Sequence, residues 1–237
     1  MQLTLRQAAR YLGVDEDALE RWADRGELPA ARVDDQYRFN RVDLLEWAAE
    51  RHLTVSPEIL ADPGLHPEDL PRLSECVRAG GIHYGVPGSD KEGLLRAVVD
   101  VLPLPRTIDR EFLLQMLLAR EQLGSTGLGN GIAIPHPRDP LVLQVRRPTV
   151  SVCLLERPID FGAVDRQPVH TLFVIVAPSV RTHLSVLSVL AAALHDPALP
   201  PKLVARAPPG ELLAEIERIE ADQARAREER LARSEDA

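Results

Sequence analysis

From Thr54 to Arg72 the chain reads TVSPEILADPGLHPEDLPR, a stretch crowded with Pro, Asp and Glu whose apolar residues recur at neither helical nor strand spacing. It reads as a linker. The 237 residues must then fold around two separate cores, residues 1–53 before the linker and residues 73–221 after it, and a polar stretch, 222–237, closes the chain. Apolar residues at 45% suffice for both cores, and with 27% charged residues they exclude collagen-like, largely disordered and membrane-embedded chains. Aromatics are only 4% of the chain. Leu, Val, Ile and Ala therefore have to fill the interiors.

The first unit holds three short helical patterns. Thr4-Leu5-Arg6-Gln7 is a capping-box sequence, followed by Ala8, Ala9, Tyr11 and Leu12 at near-helical spacing and stopped by Gly13. Asp15 is placed to cap a second helix with Leu19, Trp22 and Ala23 on one side, ended by Gly26. Ala31 to Phe39, with Asp34-Asp35 at its turn, reads as a small hairpin. Asn40 then caps a third helix through Val42, Leu44, Leu45, Trp47 and Ala48. The predicted order is helix, turn, helix, wing, helix.

The second unit alternates between the two periods. Extended runs are expected at Ile82 to Val86, Ile132 to Ile134, Thr149 to Leu155 and Thr171 to Val176. Between and after them come a helix capped by Ser89, a helix from Asp109 to Arg120 and a helix from about Arg181 to Leu194. Such alternation predicts the α/β class, a mixed sheet flanked by helices. From Glu211 the pattern starts amphipathic and becomes polar on every face, so its final turns are expected to project or fray.

The chemistry concentrates in AREQLGSTGLGNGIAIPH, residues 119–136. Its glycines let backbone approach a ligand closely and can form N–H concavities for an anion. Their spacing fits neither GxxxxGK[ST] nor GxGxxG, so no nucleotide motif is present. What the run does offer is an anion pocket beside a histidine. Imidazole is a competent nucleophile near neutral pH, and a ring held through one nitrogen can present the other to an electrophile. A phosphoryl group on it would want cationic, hydroxyl or N–H partners, and Arg120, Ser125 and Thr126 are of those types. Read alone, the same residues also fit a satisfied turn histidine, a helix-terminal cation and two turn-forming hydroxyls.

This run resembles the phosphorylation-site signature of enzyme IIA of the fructose and mannitol type in the bacterial phosphotransferase system, and most of all its nitrogen-regulatory branch. The likeness extends over about Leu73 to Ala221 and includes PIDFGAVDRQPV from Pro158 and THLSVLSVLA from Thr182. It implies the enzyme IIA type 2 fold, with His136 as the phosphorylated residue, His183 as a second histidine supporting the phosphoryl group and Arg120 in the same pocket. It further implies a phosphohistidine carrier with no cofactor and no metal, served by an HPr-like histidine phosphocarrier protein and passing phosphate to an enzyme IIB or a regulatory target. The residue after the histidine, usually small in that family, is Pro137 here, which lacks an N–H and restricts its predecessor. Function requires an imidazole nitrogen open at a glycine-lined cavity with a guanidinium close by.

LTLRQAARYLGV, ALERWADRGELPA and YRFNRVDLLEW in the first unit resemble the winged helix-turn-helix domain of excisionases and MerR-like proteins. The resemblance implies DNA contacts from Arg21 and Arg25 on the second helix and Arg32 and Arg38 on the wing. Charge opposes this. Residues 1–52 hold eight Arg and no Lys against eleven Asp and Glu, a balance of −3, and Asp15, Glu16, Asp17 and Glu20 crowd the second helix. DNA binding and use of the unit for protein contact or homodimerisation both remain open. The whole chain, at −8, gives no support to wholesale phosphate-backbone binding. With two distant cysteines, no secretory leader pattern and no long apolar run, a cytoplasmic protein without membrane insertion is expected.

Overall fold

A computed structural model of the chain describes residues 2–33, 36–40, 44, 47, 48, 51, 71–137 and 145–235. They divide into two compact units, Met1–Asp69 and Leu70–Ala237. The linker expectation for residues 54–72 falls almost wholly outside the described residues, as do the Asp34-Asp35 turn and Val42 and Leu45 of the third helical pattern.

In the first unit, β1 (Gln2–Thr4), α1 (Leu5–Leu12), α2 (Glu16–Asp24), β2 (Ala31–Val33) and β3 (Gln36–Asn40) follow one another. The strands form an antiparallel sheet in the order β1-β3-β2. The capping box at α1 is present, with the Thr4 hydroxyl accepting from the Gln7 amide at 3.3 Å and the Gln7 side chain accepting from the Thr4 amide at 3.0 Å. Asp15 stands at the N-cap of α2 but makes no side-chain capping bond. Helical Leu44, Trp47 and Ala48 are buried with Leu3, Leu19, Leu28 and Phe39. Trp47 packs on Trp22 at 5.2 Å between centroids and donates its indole N–H to the Glu27 carbonyl at 2.6 Å. That bond ties the third helical segment to the end of α2.

The second unit is a five-stranded mixed sheet between two helical layers. Its elements are α3 (Leu73–Gly80), β4 (Ile82–Val86), α4 (Lys91–Val101), α5 (Arg110–Gln122), β5 (Gly127–Gly129), β6 (Ile132–Ala133), β7 (Thr149–Ile159), β8 (Val169–Val176), α6 (Val180–Leu194), α7 (Leu199–Val204) and α8 (Pro209–Glu235). The sheet order is β4-β7-β8-β6-β5, parallel at β4/β7 and β6/β8 and antiparallel at β7/β8 and β5/β6. Strand side chains alternate between faces, and both faces here are apolar. Val150, Val152, Leu154, Phe173 and Ile175 pack with α3, α6, α7 and α8, whereas Cys153, Leu155, Leu172, Val174 and Val176 pack with α4 and α5.

Four elements depart from the sequence reading. The cap of α4 is Asp90, whose carboxylate accepts from the Gly93 amide at 2.8 Å, while Ser89 only donates to Asp90. Helix α3 and strand β5 were not anticipated, the one being eight residues beside the Pro-rich stretch and the other having glycine at two of three positions. Helix α7, the six residues LPPKLV, was likewise not anticipated, and its prolines stand in the first turn, where a missing N–H leaves no helical bond unmade.

The hairpin β5–β6 turns through Asn130 (φ 52°) and Gly131 (φ 73°), the left-handed pair that a two-residue hairpin of the right twist demands. A Cβ at Gly131 would lie 2.2 Å from the ring of His170, while its carbonyl accepts the His170 and Thr171 amides at 2.8 and 3.1 Å. Gly131→Ala is expected to destabilise the unit by at least the ~1–3 kcal/mol of such backbone strain, measured as a lower urea midpoint at unchanged slope. His170 itself is half-buried, and desolvation holds its pKa below the ordinary 6.5. Because the unfolded chain then binds the proton more readily, stability is full above about pH 6.5 and falls as pH drops from there through the folded-state value. Unfolding midpoints measured across pH 5 to 8 should show this slope in the wild type and a flatter one in His170→Gln.

Candidate functional site

Strand parity builds the site. Ile132 and Ile134 face the α6 side of the sheet, and His136, two residues further and just past the end of β6, meets His183 of that helix. On α6, His183 precedes Val186, Leu187 and Leu190 by three, four and seven residues, so it shares the helical stripe that packs on the sheet. The two imidazoles meet with centroids 4.7 Å apart and planes at 39°. His136 Nδ1 lies 2.7 Å from the Ile134 carbonyl oxygen. A carbonyl can only accept, so this contact sets the tautomer with the proton on Nδ1 and leaves the lone pair on Nε2.

The ring is not open at a mouth, as the sequence reading required. His136 is 3% exposed and His183 is equally covered. The Pro135 carbonyl accepts from the Ile175 amide at 3.3 Å, so the approach to the histidine is fixed along β8.

Arg120 is buried at the end of α5 and donates to the Gly124 carbonyl at 2.9 Å, closing the first turn of the glycine-rich run. The Ser125 hydroxyl donates to the Phe161 carbonyl at 2.7 Å and accepts from the Gly127 amide at 3.2 Å. The Thr126 hydroxyl donates to Glu121 at 2.7 Å. Both hydroxyl protons are thus committed within the protein, and the expected donation from Ser125 and Thr126 to a phosphoryl group is not available in this arrangement. At Gly127 a Cβ would stand 2.7 Å from Ala163, so the run needs glycine there for close packing against the 160–168 loop. Asp165 of that loop accepts from the Asn130 amide at 2.8 Å and the Gln167 amide at 3.0 Å, a structural carboxylate.

Sequence reasoning passed over Glu121 and Lys91. Glu121 is buried, and its carboxylate accepts from Lys91 Nζ at 2.9 Å, from the Thr126 amide at 3.1 Å and from the Thr126 hydroxyl. Lys91 also sits over the Phe161 ring at 4.7 Å. A carboxylate four residues before a Ser-Thr pair, at the end of an apolar helix, was the available signal. Both cysteines lie in the core, where burial pushes their thiols up to about 12, so neither is a nucleophile.

In the first unit, Arg21 is exposed on α2, Arg25 pairs with Glu27 at 3.7 Å, and Arg32 lies 5.7 Å from the Tyr37 ring centroid. Arg38 spends its guanidinium on the Tyr37 carbonyl and the Gln36 side chain. The exposed residues beside Arg21 and Arg25 include Glu16, Asp17, Glu20, Asp24 and Glu27.

The family model for the phosphoenolpyruvate-dependent sugar phosphotransferase system, EIIA 2, matches residues 76–219. The chain belongs to that family. A helix-turn-helix domain model matches residues 3–52. The EIIA part is similar to a nitrogen regulatory protein of Pseudomonas aeruginosa, 39% identical over 127 residues, covering 52% of this chain and 80% of that protein. It is also similar to the fructose-specific EIIA component of the phosphotransferase system in Haloferax volcanii, 34% identical over 57% of this chain and 88% of the relative. The crystal structure of a phosphotransferase IIA (PtxA) from Streptococcus mutans shares the fold, with a TM-score of 0.52 and 22% identity over 64% of this chain and 96% of that one. The mixed sheet flanked by helices is thus the EIIA fold, here following a helix-turn-helix domain. Among the described residues no helix is long and apolar enough to cross a membrane.

Proposed function

We propose that this EIIA protein accepts a phosphoryl group on Nε2 of His136 from the phosphohistidine of a small HPr-like phosphocarrier, and that the helix-turn-helix unit in the same chain gives the phosphorylation state a regulatory output. The observation that carries the reading is the Nδ1 contact of His136 to the Ile134 carbonyl with the His183 ring alongside. In the step itself the Nε2 lone pair attacks phosphorus. The N–P bond of the donor histidine breaks with its electron pair returning to the donor ring, and the proton of His136 stays on Nδ1, still donated to the Ile134 carbonyl. Donor and acceptor bonds are of one kind, so the protein has to supply position and charge stabilisation rather than driving force. His183 and Arg120 are proposed as the groups that meet the phosphoryl charge.

A nearly covered acceptor requires the donor to uncover the ring edge on docking. Leu123, 65% exposed at the end of α5, and Phe112, 46% exposed on the same helix, are the apolar residues proposed to take that contact, whereas Leu128 packs against the core. The nitrogen-regulatory likeness and the attached helix-turn-helix domain favour regulation. The fructose-specific relative supports a second reading, in which the phosphate passes to an enzyme IIB. Close to two added negative charges would change which surfaces the site region can bind, whichever target receives the signal.

Labelled phosphate from phosphoenolpyruvate, passed through the general phosphotransferase proteins, is expected to enter the wild type and not His136→Ala. Mass spectrometry at alkaline pH should place it on His136, and equal labelling of both chains would remove the proposal. For the first unit, the acidic residues around Arg21 and Arg25 repel phosphates, so protein contact is the proposed use of its helix-turn-helix. Gel-shift titration against genomic fragments is expected to show no complex at physiological salt. A sequence-selective shift there would establish DNA binding instead.

A further inference from the structure

Three donors converge on the Glu121 carboxylate: Lys91 Nζ from α4, and the backbone amide and hydroxyl of Thr126. Thr126 is the residue at which the chain enters β5, and its carbonyl accepts from the Ile134 amide at 3.0 Å across the hairpin. The carbonyl of that same Ile134 accepts from His136 Nδ1 at 2.7 Å. One continuous series of bonds therefore runs from the carboxylate through Thr126 and Ile134 to the imidazole.

We propose that Glu121 is the positioning residue of the acceptor histidine: by clamping Thr126 it holds Ile134 in register, and Ile134 in turn holds His136 in the tautomer with Nε2 unprotonated. This rests on His136 being the acceptor. Burying a carboxylate is costly unless it is paired and fully hydrogen-bonded, and here the cation and the two Thr126 donors meet that requirement. A carboxylate is also the one side-chain group of this size that accepts from three donors and donates to none. Glutamine at the position keeps the volume but has one acceptor oxygen, and its amide N–H bonds would face Lys91 or Thr126 donors. At least one donor then loses its partner, and the buried Thr126 is the one that cannot turn to water.

The test compares wild type, Glu121→Gln and the double variant Lys91→Met, Glu121→Gln, each confirmed folded by thermal melting. In the double variant the cation is gone, the Gln oxygen can accept from the Thr126 amide, and its N–H can donate to the Thr126 hydroxyl, so a neutral clamp re-forms. Two readouts are taken well below the melting temperatures: nitrogen-15 NMR of His136, which reports the ring tautomer without any partner, and the initial rate of phosphate acceptance from the phosphocarrier. The wild type should show protonated Nδ1. Glu121→Gln should show a mixed tautomer and accept phosphate at least tenfold more slowly, and the double variant should recover both together. An unchanged tautomer and rate in Glu121→Gln would overturn the proposal. So would a double variant that regains melting temperature but not the tautomer. If the wild type takes no phosphate at all, the proposed acceptor role fails, and the tautomer measurement by itself decides whether Glu121 positions the ring.

Discussion

The second unit depends on one constraint, a sheet whose two faces must both be dry. With side chains alternating every residue, the parity of a position in a strand decides which helical layer it meets. Val150, Val152 and Leu154 go one way and Cys153 and Leu155 the other. The same rule puts His136 with Ile132 and Ile134 on the α6 side, where the helical stripe of α6 delivers His183. A shift of one residue in the register of β6 against β8 would turn the histidine toward α4 and α5. Packing thereby fixes the chemistry, because the apolar pattern that secures the register also aims the imidazole.

The glycine-rich run meets a second constraint of the same kind. It must turn tightly at Asn130 and Gly131, pass within contact of Ala163 at Gly127, and leave its carbonyls for β8. An anion-binding concavity was the natural reading of four glycines in eight residues. Gly127 and Gly131 instead answer to close packing and turn handedness, and the Ser125 and Thr126 hydroxyls are spent on internal bonds.

Much of this was legible in the residues. The period-two runs at Ile132, Thr149 and Thr171, the helix that begins at Asp109 and the His136 and His183 positions all follow from local pattern together with the resemblance. The Asn-Gly pair at 130–131 was itself a hairpin signal, masked because β5 offers two glycines where strand propensity looks for branched side chains. Burial of His136 was not legible, since exposure depends on helices far away in sequence. Nor was the role of Glu121, because a carboxylate beside a helix-end arginine looks like surface charge until the fold brings Lys91 and Thr126 to it.

A covered acceptor and a clamped loop fit together physically. On the proposed reading, a histidine open to solvent could be approached from many directions, and its phosphoryl bond could be attacked by water. A histidine that is covered at rest confines reaction to partners whose docking uncovers it, so part of the binding energy of the correct donor is used at the reacting centre. Such gating requires that the ring not wander while covered, or each encounter would find a different tautomer. The Ile134 carbonyl prevents this, and it can do so only as rigidly as the hairpin that carries it. The buried carboxylate at the hairpin's entry, expensive for stability yet fully matched by its donors, makes physical sense as the anchor of that rigidity.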